Sequence, residues 1–177
     1  MAGEFKADIE RIRREAREHI EQGPITDAYG ADRERVVEVL NTVRATELVC
    51  VLRYKRHYYM ASGLNAAPVA AEFLQHANDE QGHADQVAMR ITQLDGQPDF
   101  DPHGLADRSH ADYVEGDTLL DMVREDLVAE RIAIGSYQEI VRWLGSDDPT
   151  TRNLIESILA VEEEHADDLL SILQELG

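Results

Sequence analysis

Two tetrapeptides of this chain pair a glutamate with a histidine three residues on: Glu80-Gln81-Gly82-His83 and Glu162-Glu163-Glu164-His165. Positions i and i+3 leave the same face of a helix, so each pair can aim a carboxylate and an imidazole at one point. Glu47 stands 33 residues before Glu80, and Glu130 stands 32 before Glu162. A lone glutamate followed by Glu-x-x-His therefore occurs twice. One such motif arises by chance in acidic helices; two at matching places mark a constellation. Four carboxylates and two imidazoles suit a pair of iron or manganese ions and disfavour metals that demand thiolate. Four carboxylates against two divalent ions make a neutral site, which fits a pair cycling between the divalent and trivalent states.

The elements that position these groups are helices. Apolar residues recur at spacings of 3, 4 and 7, and convincing alternation is absent. The pattern predicts a leading helix over about 4–22, with Phe5, Ile9, Ile12, Ala16 and Ile20 on one side. Four long helices then follow. Helix A runs from about Asp32 to Ser62, B from Ala67 to Leu94, C from Asp117 to just before Gly145, and D from Asp148-Pro149 onward. Each spans about 40 Å. Short A–B and C–D connections make two antiparallel hairpins, and the long 95–116 connection serves as a crossover. The expected fold is all-α: an N-terminal helix and linker over 1–30, then a four-helix bundle over 31–177.

The core-facing rows single out the same glutamates. Helix A reads Val36, Leu40, Val43, Glu47, Val51, Tyr54, and helix B reads Phe73, Ala77, Glu80, Ala84, Val87, Ile91, Leu94. Helix C reads Leu120, Val123, Leu127, Glu130, Ile134, Tyr137, Val141, Leu144, and helix D reads Ile155, Ile158, Glu162, His165 or Ala166, Leu169, Leu173. Each row carries one glutamate where the period demands an apolar residue. Buried carboxylates without cations cost several kcal/mol each or shift their pKa. No lysine or arginine occupies the rows, so a metal pair is the compensation expected on Glu47, Glu80, His83, Glu130, Glu162 and His165. The i+3 spacing and the apolar row choose Glu162 over Glu163 and Glu164.

Composition narrows the partners. The net charge is −19, and the first twenty residues balance five basic against five acidic groups, so nucleic acid is an unsuitable partner. No stretch approaches a membrane span and residues 1–22 hold no apolar run, so a soluble, cytoplasmic protein is expected. The single cysteine, Cys50, excludes four-cysteine metal sites and reads as a core residue.

With these residues in view, the chain resembles a known family. Thr46-Glu47-Leu48 with Tyr54, His57 and Met60 is similar to helix A of the bacterioferritins. Asp79-Glu80 with His83-Ala84-Asp85 is similar to their helix B. Leu127 to Glu130 and Glu162 to His165 resemble helices C and D. The resemblance covers about 35–175 and implies a ferritin-like di-iron protein. The implied activity is ferroxidase action: two iron ions per subunit, with manganese or zinc as substitutes, oxidised by O2 or H2O2. Ferric mineral would collect in a homo-oligomeric cage for storage or detoxification. Tyr54 matches a tyrosine beside the family's di-iron centre, implied as an electron or hydrogen-bond donor, with core packing as the alternative. Gln81 stands where bacterioferritins carry the haem-ligating methionine, so no haem is expected. The leading helix, and a helix D with no fifth helix after it, are similar to Dps-like miniferritins, which leaves 12 and 24 subunits both open. A non-storage di-iron or di-manganese peroxidase or catalase, and a DNA-protecting Dps-type protein, are the alternatives.

The remaining groups receive plainer expectations. Met60, Met89 and Met122 read as core, and His19, His103 and His110 as solvent-exposed. His57 and His76 read as packing or hydrogen-bonding residues. Asp85, Asp126, Asp167 and Asp168 read as facing water or a cage interior. Arg53, Lys55 and Arg56 read as an intersubunit ion-pair surface.

Overall fold

Helix boundaries follow local chemistry. In the computed structural model, which describes residues 6–176, the Asp32 carboxylate accepts the Arg35 backbone N–H at 3.1 Å and starts a helix over Arg33–Met60. Thr118 and Asp121 form a reciprocal capping box at the head of a helix over Leu119–Leu144. Pro149 begins the last helix, Pro149–Leu176, and Asp148 accepts the Thr151 N–H at 2.9 Å. With Ile9–Glu18, Ala66–Gln93 and a single turn over Leu105–Arg108, the order is α1 (Ile9–Glu18), α2 (Arg33–Met60), α3 (Ala66–Gln93), α4 (Leu105–Arg108), α5 (Leu119–Leu144) and α6 (Pro149–Leu176).

The four long helices lie within about two residues of their expected ends, and no strand forms among the described residues. α2 packs along α3, and α5 along α6; α2 also meets α5, and α3 meets α6. This is the expected four-helix bundle. The leading helix is shorter than expected because the Asp8 side chain caps it at Arg11 N–H, and a separate 3-10 turn covers Ile20–Gln22. Phe5 lies outside the described residues. Ile9, Ile12 and Ile20 remain exposed, so the apolar side of α1 is uncovered in the single chain. No helix among the described residues is long and apolar enough to cross a membrane.

The core divides into two apolar clusters stacked along the bundle. One joins Val36, Leu40, Val43, Val87, Ile91, Tyr137, Ile155 and Ile158. The other joins Cys50, Tyr54, Val69, Phe73, Ala77, Met122, Val123 and Leu169. On every long helix the glutamate of interest falls between its contributions to the two clusters. Cys50 is core, as expected. The α5 row is turned relative to the expected one. Leu120, Leu127, Ile134 and Val141 are half-buried, while Met122, Ala129, Ala133 and Ile140 face inward. Met60 and Met89 are corrected as well: both are exposed, and only Met122 is buried.

The crossover is laid along α2 by polar groups. Asn41 accepts the Asp99 N–H at 2.8 Å and donates to the Gln97 carbonyl at 3.2 Å. Arg44 stacks 3.5 Å above the Phe100 ring and donates to the Asp99 carbonyl. Thr46 Oγ1 accepts the His110 N–H at 2.9 Å, so this histidine is anchored by its backbone. The deepest tie corrects two expectations. Asp126 is buried, and accepts Arg53 Nε and His57 Nδ1, each at 2.7 Å. Arg53 is also buried and donates to the Asp112 carbonyl at 3.1 Å, while His57 Nε2 reaches the Glu115 carbonyl at 2.8 Å. Neither Asp126 nor Arg53 faces water or a neighbouring subunit. Each neutralises the other across two helices, which apolar periodicity within one helix does not register.

Removing one partner of a buried ion pair leaves the other charged and unsatisfied. Asp126→Ala is therefore expected to destabilise the fold by about 3–5 kcal/mol, read from the midpoint of denaturant unfolding. A loss below about 1 kcal/mol would show that Arg53 finds another partner.

Candidate metal centre

All six expected residues meet at mid-bundle. Glu47 comes from α2, Glu80 and His83 from α3, Glu130 from α5, and Glu162 and His165 from α6; every one is buried. They form two overlapping donor groups. Glu47, Glu80, His83 and Glu162 can each offer one ligand atom within 4.8 Å of the others, and so can Glu80, Glu130, Glu162 and His165. Glu80 and Glu162 belong to both groups, so either carboxylate could serve two cations. Glu47 with His83 completes one group, and Glu130 with His165 the other. Glu163 and Glu164 are exposed, so the choice of Glu162 agrees with the fold.

Both imidazoles present Nδ1 to the carboxylates. His83 Nδ1 lies 3.1 Å from Glu47 Oε2 and from Glu162 Oε1, and 3.6 Å from Glu80 Oε2. His165 Nδ1 lies 3.5 Å from Glu162 Oε2, 3.6 Å from Glu80 Oε1 and 4.0 Å from Glu130 Oε1. Behind it, His165 Nε2 faces Asp79 Oδ2 at 3.5 Å, the arrangement by which an outer carboxylate orients a ligating histidine.

Many of these atoms lack hydrogen-bond partners. Glu80 Oε1, Glu130 Oε2, both carboxylate oxygens of Glu162 and both ring nitrogens of His165 are buried and unpaired. Native structures rarely tolerate so many orphaned polar atoms in one place. Acceptors that converge without donors fit cations, and the donor set fits two.

Protons take the cations' part in their absence. Burial raises the Glu47 carboxyl, the Glu80 charge raises it further, and His83 offsets only some of this, leaving it at about 8. Burial, then the charges of Glu80 and Glu162, hold Glu130 well above the usual carboxylate range. Burial alone would lower His83, but the neighbouring Glu162, Glu47 and Glu80 carboxylates push it up to about 12. His165 behaves alike and rises to about 10.

Two tyrosines complete a pseudo-two-fold arrangement. The Tyr54 hydroxyl on α2 donates to Glu130 Oε1, and the Tyr137 hydroxyl on α5 donates to Glu47 Oε1. Each stands seven residues after the lone glutamate of its own helix and reaches the lone glutamate of the other. Burial keeps both phenols well above their ordinary pKa, so they remain donors. Tyr137 appeared in the core row without a role; the repeated Glu-x6-Tyr spacing was the available signal. His76 sits beside Tyr54, with Nδ1 3.2 Å from its hydroxyl oxygen, in keeping with a hydrogen-bonding residue.

Comparison with known proteins agrees with this fold. The family model for the ferritin-like domain matches residues 37–177. A bacterioferritin of Mycobacterium bovis is 30% identical over 146 residues, covering 80% of this chain and 87% of its own length. A DNA protection during starvation protein of Pyrococcus furiosus is 29% identical over 145 residues, covering 80% and 78%. Among solved structures, the bacterioferritin-related protein of Bacteroides fragilis, a dodecameric thioferritin, superposes with a TM-score of 0.79 at 30% identity. That match covers 83% of this chain and 89% of the other.

The raised pKa values give a signed prediction. Glu47 rises from an ordinary 4.5 to about 8, and His165 from 6.5 to about 10. Across roughly pH 5–8 the folded, cation-free protein therefore holds more protons than the unfolded chain, and its stability falls as pH rises. Cations compete with the same protons, so their affinity climbs over that window. Calorimetric melting with chelator should show Tm falling from about pH 5 to 8, and the upshift by added Zn(II) growing over the same range. A Zn(II) upshift independent of pH would contradict protons as the competing occupants.

Proposed function

The chain belongs to the ferritin-like domain family, and from that premise we propose that it is a ferroxidase that oxidises Fe(II) and stores or detoxifies the product as ferric mineral within a homo-oligomeric cage. The observation that carries this reading is the pair of overlapping donor groups sharing Glu80 and Glu162. Two Fe(II) substrates would each receive one unshared carboxylate and one imidazole: Glu47 and His83, or Glu130 and His165. Iron in such a pair supplies two electrons, enough to reduce O2 to H2O2 or H2O2 to two waters.

The chain's own residues prepare the site for that substrate. Glu80 and Glu162, buried between two apolar clusters, hold four acceptor oxygens between the two positions. Tyr54 and Tyr137 each donate to one oxygen of a lone glutamate; of the second oxygens, Glu130 Oε2 is unpaired and Glu47 Oε2 lies 3.1 Å from His83 Nδ1. Tyr54 is the proposed catalytic residue, as electron or hydrogen-bond donor. Two iron ions per subunit are the expected complement, with manganese or zinc able to occupy the same donors. Gln81 in place of a methionine leaves no thioether for a haem.

The cage rests on the relatives and on the surface. The Bacteroides fragilis protein is a dodecamer. Here Leu52, Tyr59, Leu64, Met89 and Phe100 stand exposed on the single chain, apolar area that assembly would cover. A net charge of −19 opposes DNA binding. We place the protein in the cytoplasm.

Stopped-flow oxidation of anaerobically loaded protein should show a fast phase accounting for two Fe(II) per subunit. Glu130→Ala should abolish that phase, and Tyr54→Phe should slow it about 10-fold. A sizing column should return a 12- or 24-subunit particle. A stable dimer with an intact fast phase would replace the storage reading with that of a non-storage di-metal oxidase.

A further inference from the structure

His76 lies on α3 one turn before Glu80, fully buried, with its ring stacked on that of His165 at a centroid separation of 3.9 Å. Its hydrogen bonds fix which nitrogen carries the hydrogen. The Tyr54 proton goes to Glu130, so the phenol oxygen accepts at 3.2 Å from His76 Nδ1–H. Nε2 is buried and makes no hydrogen bond, although Glu72 Oε1 is 3.3 Å away and Asp168 Oδ2 3.9 Å away. With the hydrogen on Nδ1, Nε2 is an acceptor beside two carboxylates, three acceptors with no donor among them. One ligand atom from each lies within 4.8 Å of the others.

We propose that Glu72, His76 and Asp168 form a third site for a divalent transition-metal cation, on the solvent side of the two-cation centre. One imidazole nitrogen and two carboxylate oxygens suit Fe(II), Mn(II) or Zn(II). The site is open where the centre is closed: the side chains of Glu72 and Asp168 are 31% and 46% exposed, those of the centre's six residues 7% or less. His76 also offers a ligand atom within 4.8 Å of atoms on Glu130 and His165, so the outer group adjoins the inner one. On the ferroxidase reading, the third cation is incoming Fe(II) held one ring's thickness from its destination. That transit role rests on the ferroxidase reading, whereas the site itself does not.

The test counts tightly held Zn(II) in chelator-stripped full-length protein against a competing chelator. Wild type should hold three per subunit, and the exposed double variant Glu72→Gln/Asp168→Asn two. In a Glu47→Gln/Glu130→Gln background, adding Glu72→Gln/Asp168→Asn should remove one further ion, which assigns that ion to the outer site. A wild-type count of two, or a count unchanged by Glu72→Gln/Asp168→Asn, overturns the proposal. Fe(II) kinetics separate the two readings. If the outer variants lose one Zn(II) while wild type shows no fast oxidation, the ferroxidase reading fails and the site stands. If both hold, the outer variants should keep the fast phase of preloaded protein and slow refilling in a second round.

Discussion

The structure depends on four carboxylates sealed between two apolar clusters. Glu47, Glu80, Glu130 and Glu162 are at most 1% exposed, and in each helix apolar residues precede and follow them. Four negative charges in that medium are not sustainable, since isolated ionised carboxylates in a protein interior neutralise by shifting their pKa. The raised Glu47 and Glu130 carboxyls and the protonated His83 and His165 are that response. The same charge can be balanced by two divalent ions, so protons and cations are alternative counter-charges for one cage of oxygens. Fold and chemistry are joined there: the site is costly unless something positive fills it.

The bundle is built to keep those carboxylates in register. Each hairpin contributes one lone glutamate and one Glu-x-x-His helix, and the two tyrosines cross-link the lone glutamates between α2 and α5. The crossover, which must return the chain along the bundle, is pinned to α2 by Asn41, Arg44, Thr46, Arg53 and His57. The buried Arg53–Asp126–His57 group lies on the same two helices as those tyrosine contacts. Burying charge there costs desolvation, and what it secures is the relative position of α2 and α5. At the other end, Asp148 gathers Arg90, Thr151 and Tyr29, tying α3, α6 and the N-terminal linker.

The helices and the six converging residues were legible because each is a statement about one helix: a period, a cap, or a glutamate out of place in an apolar row. Glu162 over its neighbours followed from the same rule. What was not legible required knowing which helices face each other. Asp126 and Arg53 look like surface charges on their own helices and become core only as a pair. The α5 row turned because Asp126 and the small Ala129 and Ala133 point inward, displacing Leu127 and Ile134 to the flank. Met60 and Met89 count as apolar in a periodicity, yet helix ends and outer faces also carry methionine. Tyr137 was visible in the row, but its partner across the bundle was not.

The two halves of the site match in their inner donors and differ behind them, and the difference has a direction. Aligning Glu80-x-x-His83 with Glu162-x-x-His165 places His76 opposite Ile158, Glu72 opposite Leu154 and Asp79 opposite Val161. Packing alone would be served by an apolar residue at the His76 position, as Ile158 serves the other half from within a core cluster. Instead α3 carries a buried imidazole there, flanked by carboxylates that reach solvent, while α6 carries hydrocarbon. The side of His165 thus carries oxygen and nitrogen donors where the matching positions of α6 carry Leu154, Ile158 and Val161. On the proposed two-cation reading this asymmetry would favour filling from the His165 side, with Glu80 and Glu162, which belong to both donor groups, as the carboxylates able to pass an ion towards Glu47 and His83.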